Sequence, residues 1–304
     1  MKHEDLQYKL QLAVKTYQDN NLEKAELIFQ QILELNPKEP NALHLLGCIQ
    51  KDRGYLLEAV ELIEASIRED GSNPITYLNL GKILSISGQP EKAVAIFQQS
   101  LNRNRQIPET WFCLGNALRD LGKVEEAINS YRTVLKLKPT HAGAAGNLGA
   151  QLTAQGEFAE AESMLSQALE YHPKEINILI NYGKLLGEQS KHDLAINKYQ
   201  TALQLTNTSA ELYFNYANSL KEQGEIEHAI ASYSKAIELK TDFGEAHLNL
   251  GNALKEQGEI EKAIASYRRA IYFKSDLVEA YFNLGNVLKE QRQFREAICS
   301  FRNF

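Results

Sequence analysis

NSLKEQGEIEHAIASYSKAIELK (residues 218–240) recurs 34 positions later as NALKEQGEIEKAIASYRRAIYFK (252–274). A fixed period of this size decides the architecture before any local reading, because each period is one supersecondary unit. The same frame runs along the chain without insertion or deletion. It gives repeats 6–39, 40–73, 74–107, 108–141, 142–175, 176–209, 210–243, 244–277 and a partial copy, 278–304. Position 8 of the frame is Gly47, Gly81, Gly115, Gly149, Gly183, Gly251 and Gly285, with Ala13 and Ala217 in the other two copies. Position 20 is Ala throughout, from Ala25 to Ala297, and position 24 is always large: Phe29, Ile63, Phe97, Tyr131, Leu165, Tyr199, Tyr233, Tyr267 and Phe301.

Apolar residues at positions 4, 7 and 11 beside the small residue at 8 form one helical stripe. Ala at 20, the large residue at 24 and a compact residue at 27 form a second. Small residues at 8 and 20 let two backbones approach while the side chain at 24 fills the gap between them. Gly54, Gly88, Gly122, Gly156, Gly224 and Gly258 occupy position 15, where a left-handed residue ends the first helix; Asn20, Ser190 and Arg292 stand there in the other copies. Each unit is therefore a helical hairpin. One hairpin cannot bury both stripes, so the expected fold is all-α, a single solenoid over 1–304 with altered terminal units. Repeat one, with Lys9 and Thr16 in apolar slots, has the character of a cap.

These residues resemble the tetratricopeptide repeat family. WFCLGNAL at 111–118, followed by Ala127, Tyr131 and Pro139, follows its W-x2-L-G-x2-Y, A-x3-F, P pattern, with Leu118 where the family often has Tyr. The proline at position 32 is present only as Pro37, Pro139 and Pro173. The resemblance implies a right-handed superhelix whose concave groove is lined by the first helix of each pair.

The composition, 43% hydrophobic and 24% charged with 18 Gly and 7 Pro, suits a packed protein and excludes bulk disorder. Lys+Arg 33 against Asp+Glu 39 gives a net charge of -6, which offers no long-range attraction to phosphate backbones or anionic lipid. Neither nucleic acid nor membrane is an expected partner. Cys48, Cys113 and Cys299 lie far apart and suggest a reducing compartment rather than a disulfide framework. With no apolar leader and no long uncharged apolar run, a soluble cytoplasmic protein is expected. The seven His are scattered over repeats without metal-ligand spacing, and the glycines sit in helical hairpins rather than after strands. No catalytic site, metal or cofactor is expected, so the chain reads as a non-enzyme.

Positions 2, 6, 9 and 13 lie opposite the buried stripe of the first helix and should face the groove. Position 6 carries Asn79, Asn147, Asn181, Asn215, Asn249 and Asn283; position 9 carries Asn116, Asn218, Asn252 and Asn286. An asparagine amide offers both donor and acceptor to a peptide backbone without a charge to be paired. Such a ladder suits sequence-tolerant binding of extended protein segments, with affinity summed over several contacts. It equally suits hydrogen bonds between repeats, and the sequence leaves the two roles open. Position 5 adds apolar groups, among them Leu78, Phe112, Ile180, Phe214, Leu248 and Phe282. Glu222, Glu256 and Glu290 at position 13, with Glu211, Glu245 and Glu279 at position 2, would favour neutral or basic ligands. Family members that clamp a C-terminal carboxylate resemble one another in carrying Lys or Arg at positions 2, 5 and 6 with Asn at 6 and 9; Asn218 with Asn249 and Asn252 with Asn283 match the Asn pair, but the acidic position 2 and Phe214 and Leu248 at position 5 argue against that sub-type.

The asparagine ladder and the repeated LGN-LKEQG phrasing are most similar to the superhelical arm of protein O-linked N-acetylglucosamine transferases and their bacterial relatives. That resemblance implies a substrate-recruiting arm for a catalytic domain not contained in these 304 residues. The last stretch, REAICSFRNF, places Phe301 and Phe304 on a stripe that calls for a cover, whether further chain, a partner or self-association.

Overall fold

The computed structural model describes residues 2–302, with side chains from Asp5 to Arg302, so Phe304 lies outside the described residues. Within them the chain is helical hairpins throughout. The pairs are α1 (Lys2–Gln18) with α2 (Leu22–Leu35), α3 (Pro40–Asp52) with α4 (Leu56–Glu69), α5 (Pro74–Ile86) with α6 (Pro90–Arg103), and α7 (Pro108–Asp120) with α8 (Val124–Leu137). They continue as α9 (Ala142–Ala154) with α10 (Phe158–Tyr171), α11 (Ile176–Glu188) with α12 (His192–Leu203), α13 (Ala210–Glu222) with α14 (Ile226–Leu239), α15 (Gly244–Glu256) with α16 (Ile260–Phe273), and α17 (Val278–Glu290) with α18 (Phe294–Arg302). From α3 on, every first helix starts at position 1 of the frame read from the sequence.

The helices group into two compact units, one up to Ala144 and one from Ala145. In the first, α3 packs on α5 and α5 on α7; in the second, α11, α13, α15 and α17 pack in succession. First helices thus line up side by side inside each unit.

The seam inside each hairpin is set by position 8. A Cβ placed on Gly81 would lie 2.4 Å from Phe97 Cε1, one on Gly183 would lie 2.4 Å from Tyr199 Cε1, and one on Gly251 would lie 2.6 Å from Tyr267 Cε1. Real Cβ atoms do not tolerate such approaches, so glycine is required where the ring at 24 presses this close. Tyr131, Tyr233, Tyr267, Phe29 and Phe97 are fully buried as a result.

The left-handed turn at position 15 is kept even where glycine is lost. Gly224 has φ +80, and Asn20, Ser190 and Arg292 adopt φ 58, 58 and 60. The hydrogen bonds are the same in both cases: Gly224 N–H donates to Lys221 O (2.9 Å) and Ser190 N–H to Gly187 O (2.8 Å), each followed by a longer-range bond from the next residue. Packing therefore imposes a conformation that costs a non-glycine residue about 1–2 kcal/mol. In the first hairpin Thr16 sits in its apolar slot by donating its hydroxyl to Leu12 O (2.7 Å), while Lys9 reaches Asp5 (4.0 Å).

Candidate functional site

The asparagines at positions 6 and 9 form rungs that join successive hairpins. Tyr233 donates its hydroxyl to Asn218 Oδ1 (2.6 Å), and Asn249 Nδ2 of the next hairpin donates to the same oxygen (2.9 Å). One hairpin on, Tyr267 donates to Asn252 Oδ1 (2.9 Å) and Asn283 Nδ2 does likewise (2.9 Å). In the first unit Tyr131 donates to Asn116 Oδ1 (2.8 Å). A carbonyl oxygen has two lone pairs, and in a closed rung both are taken by the protein itself. Hydrogen bonding between repeats, left open by the sequence, is thus one role these asparagines perform. Burial pushes the phenols of Tyr199, Tyr233 and Tyr267 above their ordinary value, so each remains a donor.

Where position 9 is not Asn, the rung changes chemistry. Lys82 pairs with Glu109 at position 2 of the next hairpin (2.8 Å), and Lys184 pairs with Glu211 in the same way. Asn79 Nδ2 reaches His44 Nε2 (2.8 Å) and Cys48 Sγ (3.3 Å), and Asn181 Nδ2 donates to Gly146 O (3.0 Å). Asn147 and Asn286 are half-buried on the same face of their helices.

A cavity of about 590 Å³ opens in the second unit between three successive first helices, α9, α11 and α13. Asn181, Asn215 and Asn218 line it together with Lys184, Glu188 and Glu222, all from positions 6, 9 and 13. Tyr199 and His192, from α12, complete it. Two atoms of these lining residues, Asn215 Nδ2 and His192 Nδ1, are buried without a hydrogen-bond partner among the described residues.

The remaining expected residues are more dispersed. Phe214 packs on Phe243 (ring centroids 4.9 Å) and Tyr233 (6.0 Å), and Phe112 on His141 (4.7 Å), so both rings are half used by the fold. Phe282 stays 45% exposed, whereas Leu78, Ile180 and Leu248 at the same frame position are buried core. Position 5 is thus a seam between neighbouring hairpins rather than open groove, because the next first helix packs over it. Glu222 lines the cavity, Glu290 pairs with Lys255 (3.8 Å), and Glu256 lies in a separate exposed depression with Gly224 and His228. Of the position 2 carboxylates, Glu279 accepts from Asn252 (3.3 Å) and Asn283 (3.4 Å), while Glu245 pairs with Lys274 (2.5 Å).

Lys184 falls on the expected groove face at position 9, but Tyr199, read as core, and His192 were not assigned to the groove from the sequence. Their signal is an irregularity in the frame rather than a motif: His192 stands at a position otherwise apolar, and Tyr199 lacks the asparagine that accompanies the other tyrosines at position 24.

No group of three or more His, Cys, Asp and Glu able to hold a metal occurs among the described residues, and no described helix is long and apolar enough to cross a membrane. Burial pushes the Cys48 thiol up to about 11 and the Cys113 thiol up to about 12, so neither is a thiolate nucleophile at neutral pH.

Family models described as TPR repeat or tetratricopeptide repeat match residues 75–107, 118–179 and, in three overlapping copies, 183–291. Among curated proteins none matches the sequence. Among solved structures, the Cut9–Hcn1 hetero-tetramer of APC/C is similar with a TM-score of 0.71 at 18% identity, over 88% of this chain and 52% of that one. A tetratricopeptide repeat protein from Parabacteroides merdae gives 0.66 at 20% identity, over 82% and 98%. The Pseudomonas aeruginosa pilF structure gives 0.58 at 19% identity, over 64% and 88%. At these identities the likeness concerns the fold. The chain spans about half the length of the Cut9–Hcn1 chain it matches.

Proposed function

The chain belongs to the tetratricopeptide repeat family, and from that premise we propose that it is a non-catalytic scaffold that binds extended segments of partner proteins along the wall of positions 6, 9 and 13. The observation that carries this reading is the cavity in the second unit, most of whose lining comes from those frame positions on three successive hairpins. A volume of about 590 Å³ falls in the range of ligand-holding clefts. In the rung of the seventh hairpin, Asn218 Nδ2 and Asn249 Oδ1 are not used in the bond that joins the two amides. Neutral amides with carboxylates at Glu188 and Glu222 favour main-chain groups and basic side chains over anions.

The test is a random linear peptide library displayed against the full chain. Selected binders are expected to lose affinity when Asn215, Asn249 and Asn283 are replaced by Ala together, provided circular dichroism shows the helices intact. Unchanged affinity of every binder for the folded triple variant refutes the reading.

The Asn-rich rungs also favour the narrower reading of a substrate-recruiting arm of a glycosyltransferase. Sequencing the coding region beyond Phe304 tests it: a catalytic domain in frame supports a covalent arm, and a stop codon there excludes one.

A further inference from the structure

The sixth hairpin departs from the shared frame twice, and both departures face one cavity. Tyr at position 24 accompanies Asn at position 9 in three hairpins, as Tyr131 with Asn116, Tyr233 with Asn218 and Tyr267 with Asn252. Where position 9 is Val14, Cys48, Lys82 or Ala150, position 24 is Phe29, Ile63, Phe97 or Leu165, none of which has a hydroxyl. The chain otherwise avoids a ring hydroxyl without its asparagine, and Tyr199 with Lys184 is the exception. The next hairpin repeats the contrast: Lys82 is followed at position 6 by Cys113, which asks for little, but Lys184 is followed by Asn215. The second departure is His192, at a position that is Leu, Pro, Val, Phe or Ile in the other eight copies.

The consequence is chemical. The Lys184 ammonium has no lone pair to offer and turns to Glu211. Asn215 Nδ2 and His192 Nδ1 are left buried without partners among the described residues, and Tyr199 lines the same cavity. In the seventh and eighth hairpins an amide carbonyl oxygen, Asn218 Oδ1 or Asn252 Oδ1, accepts from both the tyrosine and the following asparagine. The sixth rung thus has its two donors in place and lacks the amide oxygen that answers them. An unanswered buried donor is costly, and a ligand that answers it gains that cost as affinity.

We propose that the sixth hairpin is an anchoring rung: a main-chain carbonyl of an extended, basic peptide takes the place held by the asparagine Oδ1 in the neighbouring rungs, accepting from Tyr199 and Asn215, while His192 Nδ1 meets a further main-chain group. Glu188 and Glu222 in the same cavity select against a carboxylate and for a Lys or Arg side chain on the peptide. This deepens the scaffold reading and rests on it.

The probe is the capped peptide acetyl-Ala-Lys-Ala-Lys-Ala-amide, with acetamide as a side-chain-amide control and acetate as a carboxylate control. Binding to the full chain is followed by the side-chain amide resonances of Asn215, Asn218, Asn249 and Asn252. The expected result is a saturable shift at Asn215 with the peptide, little with acetamide and none with acetate. Lys184→Asn supplies the carbonyl from within and should weaken the peptide by about tenfold, as the loss of two neutral hydrogen bonds implies. Tyr199→Phe should weaken it by a few-fold while leaving the fold intact. Peptide shifts at Asn218, Asn249 and Asn252 with Asn215 silent, or equal affinity for the Lys184→Asn variant, overturn the anchoring rung and leave the scaffold reading standing. An acetamide shift as large as the peptide's at Asn215 overturns the main-chain assignment. Silence at all four asparagines overturns both readings.

Discussion

Replacing Asn218 by Ala removes one oxygen and leaves two donors without an acceptor. The Tyr233 hydroxyl lies 2.6 Å from that oxygen and Asn249 Nδ2 lies 2.9 Å from it, and Tyr233 is fully buried. A neutral hydrogen bond contributes about 1 kcal/mol net, and leaving a buried donor unanswered adds to the loss. Asn249 is half-buried and recovers part of its bond from water, so the expected cost of Asn218→Ala is about 2 kcal/mol. The informative measurement is the double-mutant cycle with Tyr233→Phe, by urea denaturation of the full chain. If the rung is a shared acceptor, Asn218→Ala should cost about 1 kcal/mol less in the Tyr233→Phe background, because one orphaned donor is already gone. The same cycle on Lys184→Ala with Tyr199→Phe should show no coupling. Strict additivity in the Asn218 cycle would refute the rung, as would coupling of equal size at Lys184.

Three further outcomes are expected. Ser190→Gly should raise stability by roughly 1 kcal/mol and Arg292→Gly similarly, since both residues hold φ near +60 in a turn built for glycine, and thermal unfolding reads the change. Two glycines of α9 should respond with opposite sign: a Cβ on Gly146 meets Asn181 Nδ2 and Ile178 at 3.7 Å, so Gly146→Ala gains about 1 kcal/mol of helix propensity, whereas Gly149→Ala drives its Cβ to 2.5 Å from Leu165 Cγ and should cost about 1–3 kcal/mol. His44 is held neutral, its value lowered from 6.5 to about 4 by burial, with Asn79 Nδ2 placed 2.8 Å from Nε2. The unfolded chain takes up this proton near pH 6.5 and the fold only near pH 4, so this contribution is full above pH 6.5 and is lost progressively down to pH 4. The loss amounts to about 3 kcal/mol, and a His44→Gln variant should show a flatter denaturation midpoint between those pH values.

The repeat made the fold legible in unusual detail, because a frame that recurs nine times averages out the local ambiguity of any one stretch. The glycine at position 8 against the ring at 24, the alanine at position 20 in the core, and the left-handed glycine at 15 could all be read from spacing, whereas the same conformation at Asn20, Ser190 and Arg292, where the glycine is lost, could not. Residues at positions 6, 9 and 13 of α9, α11 and α13 share one cavity in the second unit. What spacing could not supply was how much of that face the protein uses on itself. An amide that completes a neighbouring rung and one that waits for a ligand are the same letter, and only the position of Asn218 Oδ1 between Tyr233 and Asn249 separates them. Leu78, Ile180 and Leu248 were placed beside the ladder but are buried, since helical phase alone cannot tell how far the next hairpin overlaps an edge position. Tyr199 and His192 were visible in principle, as breaks in a correlation between columns of the frame rather than as residues of a recognisable motif.

The count of asparagines therefore overstates how evenly such a wall would hold a ligand. A closed rung spends both lone pairs of its position 9 oxygen internally, and a visiting peptide meets only the outer edges of amides already held in place. Those edges are preorganised, which lowers the entropy cost of each contact, but each contributes little because the alternative partner is water. A rung with buried, unanswered donors differs in kind, since there the unbound state carries the penalty. Affinity should then concentrate where the internal pattern is incomplete, with the closed rung of the seventh hairpin fixing the register of the segment that enters. On this argument, if the wall holds an extended segment, the irregular sixth hairpin is where that proposal places its point of attachment.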